Sequence, residues 1–148
     1  MPPACYSLAP QERKGVCEWL KSIKFPDGYA SNISRCVNVA ECKIYGLKSH
    51  DCHVLLRLLS IAVRGFLDND VCSALVELSN YFRELCSNTL YLQVLEQLEH
   101  DIAIILCKLE MIFPPSFFDV MVQLAVHLAR EVRVGGLVRY RWMYPIER

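Results

Sequence analysis

Apolar residues recur at intervals of three and four along most of the chain, and proline, glycine and short polar clusters cut that pattern into five helical segments. The first spans residues 10–24. Pro10 suits a first turn, where a missing N–H costs nothing, and Val16, Cys17, Leu20 and Ile23 form one apolar stripe. The turn "FPDGY" at 25–29 ends it, and residues 30–46 show only weak periodicity, a loop with a short helical turn. A second helix starts at Ser49, read as its N-cap, with Asp51 at the positive end of the helix dipole. Leu55, Leu58, Leu59, Ala62 and Phe66 supply its buried stripe. Asp68 or Asn69 caps the third helix, which carries Val71, Leu75, Leu78, Phe82, Leu85 and Cys86 inward.

Thr89 is read as the cap of the fourth and longest helix, residues 90–112, whose inner face holds Leu95, Leu98, Ile102, Ile105, Leu106 and Leu109. Pro114 and Pro115 stop it, because proline disfavours helical geometry in the residue before it. Ser116 and Asp119 have capping-box spacing for a fifth helix that buries Phe117, Met121, Leu124, Leu128 and Val132 and closes at Gly135-Gly136. The tail alternates enough to allow an extended segment before Pro145. The pattern therefore predicts an all-α protein: one compact bundle of five or six helices over residues 1–148, with an irregular C-terminal tail.

A chain of 148 residues can bury a core of its own, and 53% of this one is apolar. No run approaches the roughly 18 uninterrupted apolar residues of a membrane helix. The N-terminus "MPPACYSLAP" lacks the basic start and apolar stretch of a secretory signal. The expectation is an intracellular protein, neither secreted nor membrane-bound. Eight cysteines do not change this, since Cys17, Cys72, Cys86 and Cys107 fall on or beside apolar helix faces, where a thiol acts as a small hydrophobe. Reduced thiols are expected, and no C-x-x-C pair is present.

Net charge is zero but unevenly spread. Residues 1–67 hold nine Lys/Arg against five Asp/Glu, residues 68–119 two against nine, and residues 120–148 five against two. A protein built to bind DNA by itself carries a clear basic surplus, so only the two ends could face phosphates. At the C-terminus Arg139, Arg141 and Arg148 interleave with Tyr140, Trp142 and Tyr144, a combination that can grip phosphate and stack on bases. Equally, the aromatic residues can anchor the tail while the arginines extend to water.

The densest chemistry lies in "SHDCH". His50 and His53 are three apart and can share a helix face, and Cys52 lies between them. A zinc site would need a further ligand from Cys42, His100 or His127, and structural zinc sites usually show two ligand pairs where this segment has one. The competing reading is a polar helix start whose side chains satisfy orphan N–H groups. His127 and Glu131, four apart, read as an ordinary helix-face pair or as a pair for proton transfer or metal binding. No Walker loop, G-x-S-x-G or G-x-G-x-x-G is present, so neither a small-molecule substrate nor a nucleotide is indicated.

Several long strings together, "PPACYSL", "GLKSHDCHVLL", "AVRG", "LCKLEMIFPPSFFDVMVQLAVHLAREV" and "RWMYPIER", resemble the domain of unknown function that follows the transposase domain in plant En/Spm (CACTA) DNA transposons. The resemblance runs essentially from Met1 to Arg148. It implies an accessory region beside an RNase H-like domain that holds divalent metal ions on three acidic residues, two of them in the preceding domain. It also implies that a helical insertion separates the second acid from the third, and that Glu147 stands where the third could lie. The sequence departs from the pattern at Gln123 in place of histidine, at "VGG" in place of a Cys-Gly-Pro type turn, and at Ile146 in place of an aromatic residue.

One glutamate cannot assemble a two-metal centre. The expectation is thus a transposon-derived, non-catalytic helical domain, a nuclear scaffold for a DNA-cleaving domain, with no cofactor of its own. Two alternatives stay open: a nucleic-acid-binding module acting through Arg139, Arg141 and Trp142, and a small zinc-stabilised interaction module acting through His50, Cys52 and His53.

Overall fold

A computed structural model describes residues 4–24, 33–87, 89–118 and 120–135. Six α-helices account for most of them: α1 (Pro10–Ser22), α2 (Ile33–Cys36), α3 (Ser49–Ala62), α4 (Asn69–Leu85), α5 (Leu92–Ile112) and α6 (Val120–Gly135). A 3-10 turn (Pro115–Phe117) precedes α6, and the strands β1 (Val37–Asn38) and β2 (Lys43–Ile44) form a small hairpin between α2 and α3. The all-helical class expected from the sequence is therefore what the protein adopts. Two compact units divide it, residues 1–72 and 73–148, with the division inside α4.

In the first unit α1 begins as its sequence dictates. Pro10 occupies the first turn, and the Ala9 N–H donates to Glu12 Oε2 at 2.7 Å, half of a capping box. Val16, Cys17 and Leu20 are buried, while Ile23 lies just past the helix end and packs on the same cluster. Ile33 and Val37 join them, which holds a four-residue helix and a two-residue strand that could not persist alone. The hairpin is antiparallel, pairing Val37 with Ile44 and Asn38 with Lys43. Its loop is shaped by Asn38, whose Oδ1 accepts from the Ala40 and Glu41 N–H groups at 3.1 and 3.2 Å. Only a loop and a short helical turn were expected here. The two-residue strands are too short to show alternation, and Asn38 was their one local signal.

The second helix ends at Ala62, short of Phe66, which is 44% exposed rather than part of the buried stripe. Gly65, at φ +87°, turns the chain in a conformation an L side chain rarely adopts. The buried Cys72 thiol then donates to the Val63 and Leu67 carbonyls, both at 3.6 Å, tying the turn to the start of α4.

The second unit is built on α5. Leu95, Leu98, Ile102, Ile105 and Leu109 are all 7% exposed or less, and α6 packs on them through Ala125, Ala129 and Val132. Each fully buried Leu or Ile contributes roughly 1.5–3 kcal/mol of hydrophobic free energy. Two boundaries differ from the sequence pattern. Tyr91 rather than Thr89 precedes α5, and the Thr89 carbonyl instead accepts from the Ser87 hydroxyl at 2.8 Å. The segment after Pro114 first forms the 3-10 turn, so α6 begins at Val120; the Asp119 half of the expected capping box lies outside the described residues. Cys107, expected beside the core, is exposed.

Tyr81 was missing from the expected core and is central to it. It is 2% exposed, its ring meets Phe82 edge-on at 5.2 Å, and its hydroxyl donates to the Ala125 carbonyl at 2.8 Å. Burial pushes the phenol well above the ordinary tyrosine range. The Ala129 backbone opposes that shift, and Cys86 and Glu99 add to it. In the unfolded chain Tyr81 ionises near pH ~10. Its contribution to stability is therefore complete below that pH and declines as pH rises toward the folded value. We expect Tyr81→Phe to cost about 1 kcal/mol in urea unfolding near neutral pH. It should also remove part of the stability loss seen above pH ~10. Ile102→Ala should cost more, about 2–5 kcal/mol. A Tyr81→Phe protein matching the native one in both pH ranges would refute the hydroxyl's role.

Candidate functional site

The "SHDCH" segment forms the first turns of α3. The first helical bond runs from the Cys52 N–H to the Lys48 carbonyl at 3.1 Å, which makes Lys48, not Ser49, the residue at the N-cap position. Asp51, three residues on, reaches back so that the Lys48 N–H donates to its Oδ2 at 3.0 Å. Asp51 is only 1% exposed, a carboxylate drawn into the protein at the positive end of a helix. The aspartate of the motif thus works on the backbone. Cys52, beside it, is exposed, so the two side chains diverge. The backbones of His50 and His53 lie in α3, while their side chains lie outside the described residues.

The candidate partners for a metal are scattered. Cys42 is half-buried in the hairpin loop, His100 is exposed on α5, and His127 and Glu131 are exposed on α6. Among the described residues no group of three or more His, Cys, Asp or Glu side chains is placed to hold a metal ion. Also among the described residues, no helix is long and apolar enough to cross a membrane. Arg139, Arg141, Trp142 and Glu147, the nucleic-acid and acid candidates of the tail, lie outside the described residues.

The second unit also holds a groove that the residue pattern does not signal. Glu77 on α4 and Lys108 on α5 form a salt bridge in which Nζ is 2.7 Å from both carboxylate oxygens. The pair stands in an open groove of about 440 Å³, lined also by Asn80, Tyr81, Asp101 and Ile104. Asp101 Oδ1 accepts from Gln97 Nε2 at 2.7 Å. Glu84 pairs with Arg83 at 3.1 Å and Glu99 with Arg133 on α6 at 3.7 Å, and such partly exposed pairs contribute about 0–1 kcal/mol each. No local signal could have found the Glu77–Lys108 pair, whose members lie in different helices.

Residues 85–148 match a domain of unknown function, DUF4218. Neither the curated proteins nor the solved structures provide a match. The matched stretch starts at the last residue of α4 and includes α5, the 3-10 turn and α6. It also takes in the tail candidates Arg139, Arg141, Trp142 and Glu147, whereas "SHDCH" lies before it.

If Asp51 serves the helix start, Asp51→Ala should lower stability by about 1–2 kcal/mol and speed amide exchange at Lys48. Cys52→Ala should stay within about 0.5 kcal/mol of the native protein. A metal chelator should leave the native unfolding midpoint unchanged. A chelator effect matching that of Asp51→Ala would instead assign the segment to a metal.

Proposed function

We propose that the chain is a transposon-derived helical domain resembling the accessory region of a plant CACTA transposase, inert as a nuclease by itself and acting as a scaffold for a DNA-cleaving domain in the nucleus. The observation that carries this reading is the match of residues 85–148, which falls on the α5–α6 core of the second unit and on the segment containing Glu147. Its surface supports a role in protein contacts. Tyr91, Leu92, Ile104 and Met111 on or beside α5 are exposed, as is Val134 on α6, with Met111 at 82% and Val134 at 86%. Apolar side chains presented on rigid helices suit docking better than catalysis.

In this reading Glu147 is the acid the chain contributes, and the other two acids and the divalent metal ions belong to the partner domain. The described residues do not by themselves fit a metal centre, so no step of DNA cleavage is assigned to them. The basic and aromatic residues Arg139, Arg141 and Trp142 would then lie next to that acid in sequence, where they could contact the phosphate backbone of bound DNA.

Reconstitution with a CACTA transposase domain carrying the two upstream acids tests the proposal. The expected result is cleavage of transposon-end DNA only when both proteins and a divalent metal are present. Glu147→Gln should abolish cleavage while leaving the complex intact on co-purification. Cleavage by the chain alone, or failure of the two proteins to associate, would overturn the reading. Salt-dependent DNA binding by the chain alone, lost in Arg139→Glu with Arg141→Glu, would favour a nucleic-acid-binding module instead.

A further inference from the structure

The groove between α4 and α5 carries an unequal charge. Glu77, Glu84 and Asp101 line it against Lys108, with Leu98 and the exposed Ile104 supplying apolar surface, and all six belong to the second unit. Lys108 is held by Glu77 at 2.7 Å, so the negative charge gathers toward Glu84 and Asp101. There Glu84 shares its charge with its chain neighbour Arg83, both about half exposed, and Asp101 bonds the neutral Gln97 amide. The same sign runs through the unit: residues 73–135 hold eight Asp/Glu against four Lys/Arg. The last stretch, 136–148, reverses it, with Arg139, Arg141 and Arg148 against Glu147.

The chain also leaves α6 near this groove. Arg133, in the last turn of α6, reaches Glu99 at 3.7 Å, and Glu99 stands on α5 between Leu98 and Asp101. An α-helix with its side chains is about 10–12 Å across. Extended chain covers up to about 3.3–3.6 Å per residue, so the four residues from Gly136 to Arg139 span roughly 13 Å and the six to Arg141 roughly 20 Å. That is enough to pass from the α6 side of α5 to its groove side. We propose that residues 139–142, Arg139-Tyr140-Arg141-Trp142, dock in the α4–α5 groove of the same molecule. The arginines answer the excess carboxylates at its Glu84–Asp101 end, and the aromatic rings, apolar in body and polar at the tip, suit a surface that mixes Ile104 with charged rims. The inference stands without the transposase reading. Its consequence there is that DNA phosphates compete with these carboxylates for the same two arginines.

Photo-crosslinking of the full chain with p-benzoylphenylalanine in place of Trp142 tests the docking, since one large aromatic side chain replaces another. After irradiation and tryptic digestion, the expected product is the tail peptide 142–148 joined to 65–83 or 84–108 at a residue lining the groove, in protein that remains monomeric. Attachment within residues 1–64, attachment away from the groove, a product of twice the chain mass, or no product would each overturn the proposal. In the same crosslinking background, Glu84→Lys with Asp101→Lys should lose most of the joined product while keeping the helical circular-dichroism signal, since neither residue is in the core. Arg139→Glu with Arg141→Glu, which alters no described helix, should lose it equally, and combining the two pairs should restore it. Full yield in either reversed pair, or no recovery in the combination, would overturn the charge pairing and with it the proposal.

Discussion

From Leu95 to Leu109 successive turns of α5 bring five apolar side chains to one face, and burying that face constrains the whole second unit. Facing it, α6 presents Ala125 and Ala129 one turn apart, small residues that let a helix backbone come close. That closeness allows Tyr81, on α4, to place its hydroxyl against the α6 backbone at Ala125. A tyrosine in a core needs a partner for its hydroxyl, and here a main-chain carbonyl supplies it. Larger side chains at 125 or 129 would displace α6 and strand that hydroxyl, so the two alanines and the tyrosine form one packing decision. The fragment match beginning at Leu85 covers the two alanines and the α5 stripe but not Tyr81.

The first unit meets a different constraint, because its elements are short. A four-residue α2 and two-residue strands have little cooperativity of their own, and they persist by inserting Ile33 and Val37 into the cluster around Leu20. At three places where the chain leaves regular structure, a small polar or thiol side chain serves the backbone. Asn38 shapes the hairpin loop, Asp51 starts α3, and Cys72 ties the turn before α4. These residues could pass for catalytic or metal-binding candidates in the sequence. In the structure each is spent on a main-chain group, which explains why chemistry-rich types crowd a segment that holds no cluster of ligands among its described residues.

Long helices were legible in the sequence because a 3.6-residue period repeats enough times to be unambiguous. The α5 stripe was read residue by residue, apart from Leu106, which is half-buried. Ends were less legible. Thr89 has the chemistry of a cap, yet α5 starts three residues later at Leu92, and Ser49 has better cap chemistry than Lys48, which occupies the position. Tertiary packing sets where a helix starts, and a favourable residue one or two positions away cannot override it. Tyr81 escaped the core reading because its neighbours Leu78, Phe82 and Leu85 already completed a stripe, and only the arrival of α6 buries it.

The candidate site divides along the same line. Local chemistry pointed to "SHDCH", and the one member of it whose side chain is both described and buried, Asp51, proves to be architectural. What a transposase-like role would require from this chain is different: a rigid platform, an apolar surface for a partner, and a single acid. In α5 and α6 the core side chains are buried while Ile104, Met111 and Val134 are exposed. The third would act only in company, because a two-metal centre draws its geometry from all of its ligands at once. A domain that contributes one ligand and a docking face therefore gains function only through its partner, and its own sequence would be shaped mainly by packing, as the residues of α5 and α6 are.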